Sequence, residues 1–256
     1  MTDIIYDIRT KEEARTTLEA LTGIPFAVWE REEETASSSD QHIEEVMKRY
    51  GGRLNHIAEF VLTHLTSSAN GCAAIRKNGL TDLCRSYENN ESELRQFLDQ
   101  KGITLNLDHQ TLRWNSGLYS IANRGSSLLM TDEEQALSRI GYRFFRDQCV
   151  CGFLSLGSTA YLTHVEEKPE ILIDIGNFIG MDIAGEWKYT HESYAVTAKV
   201  RAENIVRNGD DLSYACLAYW NSFHVNQNVL LCKDGVQIPP EDILSIEPFA
   251  GWQTSY

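Results

Sequence analysis

The stretch Phe60-Val61-Leu62-Thr63-His64-Leu65-Thr66 decides how the rest of the chain is read, together with Ser67-Ser68-Ala69-Asn70 behind it and Asn78-Gly79-Leu80 a helix further on. A run rich in apolar and β-branched side chains, bounded by a Ser/Asn cluster, reads as a buried strand. Asn70 and the serines before it are capping residues, which places a short helix across Gly71–Asn78. Gly79 stands where a helix end calls for a residue that tolerates positive φ. A strand that carries a histidine and feeds directly into a helix is the unit from which the remainder is assembled.

Downstream, Asn90–Lys101 is amphipathic, with Leu94, Phe97 and Leu98 on one face, and Ile103–Leu107 alternates as a strand does. Thr131-x-x-Glu134 is a capping box that opens a helix to about Asp147. Upstream, Thr10-x-x-Glu13 opens a helix ending near Gly23, and Asp40 caps a second through Tyr50. The acidic, Ser-rich Glu30–Asp40 lies between them as a linker. In the last third, Val150–Leu156, Ala160–Thr163, Tyr194–Val206, Ser213–Tyr219 and Asn228–Cys232 read as strands. Pro169 starts a helix to about Gly176, Pro239–Asp242 forms a turn or short helix, and Leu244–Ile246 is a final edge strand. Helices first, then a mixed region, then mostly strands, without βα alternation, predicts the α+β class.

The chain has 256 residues, 42% hydrophobic and 23% charged, which suits a soluble globular protein with its own core. Lys and Arg number 23 against 37 Asp and Glu, a net charge of −14. Such a field repels nucleic acid and anionic membranes. No segment combines the length and apolarity of a membrane span, and Met1–Thr10 has no apolar leader character, so no membrane partner is expected. Of Cys72, Cys84, Cys149, Cys151, Cys216 and Cys232 only Cys149-x-Cys151 is closely spaced, and no paired CxxC or Cys/His spacing offers a metal set. A reducing, cytoplasmic setting with free thiols is the expectation. Neither GxxxxGK[ST] nor GxGxxG occurs, which argues against a P-loop hydrolase or a Rossmann dehydrogenase.

Three pieces carry a family resemblance. The first is His64-Leu65-Thr66 followed by Ile75-x-x-x-Gly79-Leu80. The second is Gly157-Ser158-Thr159-Ala160-Tyr161-Leu162-Thr163, and the third is Asn226–Phe249, NQNVLLCKDGVQIPPEDILSIEPF. In this order they resemble the ADP-ribosyltransferase fold of poly(ADP-ribose) polymerase-type, diphtheria-toxin-type and bacterial toxin enzymes. The resemblance implies a split β-sheet core over residues 52–256, a helical N-terminal segment at 1–51 and a mostly helical insertion at about 84–147. It implies NAD as substrate, with His64 binding the nicotinamide ribose, Thr66 beside it, Tyr161 stacked on nicotinamide and Ser158 a polar neighbour. A flat aromatic face attracts a cationic ring.

The same resemblance puts Gln227 or Asn228, depending on a one-residue gap, where the family's H-Y-E pattern has its Glu. Either amide would orient the ribose 2′-hydroxyl, but neither supplies negative charge to an oxocarbenium-like transition state. In a partly dried cleft that deficit is roughly several kcal/mol. Glu186, Glu203 and Glu241 are left open as a displaced carboxylate, and a nucleophilic pairing of Cys151 with His64 is left open too. The expectation is an NAD-dependent mono-ADP-ribosyltransferase of the toxin or phage-defence kind. The acidic field favours a protein over a nucleic-acid acceptor, and an inhibitory or regulatory partner protein is allowed for. A catalytically inactive transferase-like binding module and an unrelated α+β interaction protein are the alternatives.

Overall fold

A computed structural model describes residues 3–33, 40–122, 130–156, 166–206, 211–220 and 228–249. The N-terminal elements are β1 (Asp3–Tyr6), α1 (Lys11–Thr22), α2 (Phe26–Glu33) and α3 (Asp40–Tyr50). There follow β2 (His56–Ser68), α4 (Ala73–Asn78), α5 (Leu83–Glu88), α6 (Glu93–Gln100), β3 (Ile103–Asn106), β4 (Thr111–Trp114), β5 (Gly117–Ser120) and α7 (Asp132–Phe145). The last third comprises β6 (Cys151–Phe153), α8 (Glu170–Ile179), α9 (Ile183–Thr190), β7 (Glu192–Arg201), β8 (Ile205–Val206), α10 (Asp211–Tyr219), β9 (Val229–Cys232) and β10 (Ile243–Pro248). The protein is of mixed α+β class, its main sheet antiparallel but for one pair.

The strand with which the sequence reading began is the axis of that sheet. The order is β10-β7-β2-β6-β9-β8, with β1 lying parallel to the start of β2. β7 pairs with β2 over its whole outer length, from Glu59↔Arg201 to Ser68↔Glu192. On the other side the pairing is broken. β1 occupies His56–Phe60, and β6 meets β2 at one position, Thr63↔Phe153. Even that contact requires a glycine: a Cβ on Gly152 would lie 2.7 Å from Leu62 Cδ1 and 3.0 Å from the Thr63 carbonyl oxygen. Beyond Thr63, among the described residues, β2 has a strand on one side only, and the sheet opens.

Two apolar cores flank this opening. Phe60 and Leu62 of β2, with Val196, Ala198 and Val200 of β7, are buried against Tyr6, Leu18, Trp29 and Ala215. The second core gathers α6, α7, α8 and α9 onto the β3–β4–β5 meander through Leu98, Ile103, Leu112, Phe144, Leu172 and Trp187. Local signals explain these helices. Thr131 closes a full capping box with Glu134, Ser92 and Asp182 accept from the backbone N–H three residues on, and Gly180 at φ 70° ends α8.

Four expectations are corrected. Residues 1–51, expected as a helical segment, hold α1–α3 and also a strand: β1 joins the main sheet, and α1 packs on α10 in the first core. Ser213–Tyr219 is helical, because Ala215 and Cys216 are fully buried against α1 and the Tyr6 hydroxyl donates to the Asp211 carbonyl at 2.7 Å. The stretch 84–147 is not mostly helical, since it contains a three-stranded antiparallel sheet whose β4–β5 loop turns at Asn115, φ 52°. Its core also reaches past 147 into α8 and α9. Val150–Leu156 contracts to the three residues of β6, while Ala160–Thr163 lies outside the described residues. Among the described residues no helix is long and apolar enough to cross a membrane.

Candidate functional site

The seam between the two cores holds a half-open cavity of 370 Å³. Its floor is the open edge of β2 from His64 to Ser68. Residues of α4 and the Gly79–Thr81 turn cover it, α6 and Trp187 close one end, and Cys149–Cys151 with the start of α8 close the other. Sequence adjacency explains the cover: α4 follows β2 after a turn in which the Ser68 hydroxyl accepts from the Cys72 N–H at 2.8 Å. At the other end of α4, Leu80 and Ile238 exchange backbone hydrogen bonds of 2.9 Å in each direction. This bridge joins the first and third pieces of the sequence pattern.

His64 stands where the sheet opens. Its Nδ1 lies 2.8 Å from the Cys151 carbonyl oxygen, which can only accept, so Nδ1 carries the proton and Nε2 is the ring's acceptor. Burial holds this imidazole below the usual histidine range, opposed in part by the bond to Cys151. Thr66 follows on the same face of the strand. The proximity of His64 and Cys151 is real, yet it runs through the backbone carbonyl. The Cys151 thiol is pushed up to about 11, by burial first and then by Cys149, Asp147 and Glu170. A thiol so protonated is a poor nucleophile.

The far end of the floor is held by Glu93. Its Oε1 accepts from the Ser68 hydroxyl and its Oε2 from the Ala69 N–H, both at 2.6 Å. His191 Nε2 approaches Oε2 at 3.5 Å, and the His191 ring stacks on Trp187 with centroids 3.4 Å apart. Trp187 in turn donates through Nε1 to the Ser67 hydroxyl at 2.8 Å. Burial also lowers the pKa of His191, the Trp187 carbonyl and Glu93 acting in the opposite direction. At the His64 end Arg143 is committed to Asp147, Glu170 and Asp174, at 3.3, 2.8 and 3.3 Å. Lys168 lines the cavity there with no ion pair among the described residues.

The remaining candidates are distributed differently. Asn228 is 1% exposed and does not line the cavity. Its Oδ1 accepts from the Ser155 N–H at 2.7 Å and its Nδ2 donates to the Ser155 carbonyl, so the amide is spent on joining β9 to the end of β6. Tyr161, Ser158 and Gln227 lie outside the described residues. Among the displaced-carboxylate candidates, Glu203 pairs with Arg201, Glu186 pairs with Lys101, and Glu241 sits in the 3-10 turn after Pro239; none lines the cavity. Sequence reasoning missed Glu93, Trp187 and His191. Ser92-Glu93 signals a helix start, and nothing local says that this start meets the end of β2.

No group of three or more His, Cys, Asp and Glu side chains that could hold a metal ion occurs among the described residues. The two lowered histidines give the fold a signed pH dependence. As pH falls below about 6.5, the unfolded chain takes up protons before the folded one does. Stability present above that value is therefore lost as pH drops toward the depressed folded values. The Tm of wild type is expected to fall more steeply between pH 7 and 5.5 than that of His64→Gln, whose amide can still donate to Cys151. Identical slopes in thermal scans would remove His64 from this account.

No family model matches the chain, and neither does any curated protein or solved structure.

Proposed function

We propose that the chain is an NAD-consuming mono-ADP-ribosyltransferase that uses this cavity and passes ADP-ribose to a protein acceptor. The observation that carries the reading is the placement of His64. It sits at the point where the sheet opens, on the strand that leads into α4, with Nε2 available to accept from a ribose hydroxyl. The reading is also supported by the pairing of β2 with β6 at a single position, Thr63↔Phe153, which leaves the strand edge beyond it open to the cavity. Lys168 offers a cation for a diphosphate, and the net charge of −14 disfavours a nucleic-acid acceptor. In the reaction the C1′–N bond of NAD breaks and its electron pair leaves with neutral nicotinamide. The acceptor nucleophile then bonds to C1′ and releases its proton to solvent.

Asn228 favours a second reading, a module that binds a nucleotide without turnover, because its amide is already satisfied by Ser155. The two are separated by incubating the protein with adenylate-labelled NAD and a cell lysate, wild type beside His64→Ala. Label is expected in the protein fraction, and the variant is expected to lose roughly 10²-fold or more of it. No label, together with a Tm that rises in excess NAD by mass action, would instead support the second reading. Transfer undiminished in His64→Ala would overturn the site.

A further inference from the structure

A strand turns the N–H and C=O of successive residues to alternate sides. On the β10 side of β7 the Phe249 N–H donates to the Ser193 carbonyl at 2.8 Å, so Ser193 turns toward β10, and its neighbours Glu192 and Tyr194 turn toward β2. Their partners there are Ser68 and Thr66, and the register runs without a shift from Glu59 to Ser68. Thr66 and Ser68 therefore bond to β7, while Leu65 and Ser67 aim their N–H and C=O the other way, at the cavity they line. Both residues are buried, at 7% and 9% exposure, and among the described residues no strand lies opposite them. This bare edge is bounded at both ends. The Thr63↔Phe153 pairing and the His64 contact with Cys151 close one, and Glu93, bonded to the Ser68 hydroxyl and the Ala69 N–H, closes the other. Two donors and two acceptors are left, in two rungs about 6.6 Å apart along the strand.

We propose that this edge binds an extended segment of a partner protein, which adds to the main sheet as a strand in line with β6, on the side of β2 that β7 does not occupy. Unpaired strand edges are templates for such addition, and leaving buried backbone groups unpaired costs free energy that the added strand recovers. The spacing selects the class of ligand. A single carboxamide satisfies one rung, whereas both rungs together call for donors and acceptors at the repeat of an extended peptide. The surroundings select its side chains. Ile75 and Leu80 line the cavity from the first core and Leu94 and Ile171 from the second, so side chains placed alternately along the segment meet apolar walls. Of the charged side chains in the lining, Glu93, Asp147 and Glu170 are acidic against Arg143 and Lys168, within a chain of net charge −14. The segment is therefore apolar, with a basic rather than an acidic residue. It fills the space that a nucleotide would use, so the two exclude each other, but the inference rests on backbone geometry and not on the transferase reading.

The test selects binders to the full chain from a displayed library of random heptapeptides, then measures amide hydrogen exchange at Leu65 and Ser67 with the selected peptide made synthetically. Expected are apolar sequences carrying Lys or Arg, and exchange at both amides that slows when the peptide is added. Methylating a peptide nitrogen that faces β2 should weaken binding roughly 10-fold, while methylating the nitrogen between two such positions is tolerated. The change is made in the peptide, so the folding of the chain is not at issue. A library that yields no binder, binding indifferent to the position of the methyl group, or protection at β5 or β10 instead would overturn the inference. So would Leu65 and Ser67 amides that exchange in the free chain as slowly as those of Thr66 and Ser68, since the edge would then be filled already. Slowing produced by NAD or by concentrating the chain, with no peptide selected, assigns the edge to a nucleotide or a second copy and also overturns it. A bound peptide together with a Tm unmoved by excess NAD supports the inference and removes the transferase reading alone.

Discussion

Gly79→Ala should lower the melting temperature by about 10 °C, corresponding to roughly 3–5 kcal/mol for a chain of this size. Two effects combine. Gly79 has φ 78° and ψ −169°, outside the ordinary left-handed well and open essentially to glycine alone. A Cβ there would also lie 2.0 Å from the Ile238 carbonyl oxygen and 2.9 Å from the Pro239 carbonyl carbon, both of them backbone atoms. The chain would have to separate Leu80 from Ile238, breaking two backbone hydrogen bonds and lifting the cover of the cavity off the closing segment. Gly23→Ala is the control. Its φ of 68° is similar, but nothing lies within 4 Å of the added carbon, so only the conformational cost of about 1 kcal/mol applies. Thermal unfolding of the two variants compares them directly, and equal shifts would show that the contact with Ile238 is unimportant.

Asn228→Asp is expected to destabilise by roughly 3–5 kcal/mol at pH 7, the range for a buried charge without a partner. One carboxylate oxygen would still accept from the Ser155 N–H, but the other would replace a donor and face the Ser155 carbonyl. The sign of the pH dependence is fixed by this geometry. Protonation restores a donor toward Ser155, so the gap between variant and wild type should narrow as pH falls to about 4.5. Denaturant titration at the two pH values measures it, and a gap that widens on acidification would contradict the Ser155 pairing. The same reasoning bears on chemistry. Installing Glu at position 228, where the family resemblance calls for one, would break this pairing before it could supply a carboxylate to the cavity.

Elements whose signals are local were legible in the sequence. The Thr131–Glu134 box, the amphipathic stretch of α6 and the polar-bounded run of β2 each depend on neighbours in the chain, and each forms as expected. Elements decided by distant partners were not. Asp3–Tyr6 is four residues long and half exposed along its length, and only pairing with His56–Phe60 makes it a strand. α10 is apolar nearly all round, so periodicity cannot distinguish it from a strand, and burial of Ala215 and Cys216 against α1 decides. At the site, His64 was readable because it lies on a strand with a clear exit into a helix. Glu93 was not, because its meaning comes from Ser68 and Ala69, 25 and 24 positions earlier.

The position of β2 at the axis of the sheet also sets a timetable for folding. Its long partner β7 begins at Glu192, 124 residues beyond Ser68. At a synthesis rate of roughly 5–20 residues per second, β2 emerges about 6–25 s before that partner exists. Through this interval Phe60–Leu65 can pair only with β1, which reaches no further than Phe60, and, once residue 153 is made, with β6 at Thr63. A nascent chain that stops before residue 192 therefore carries an apolar strand with its β7-facing edge bare, and the histidine strand gains its long partner only once residues 192–201 have been made.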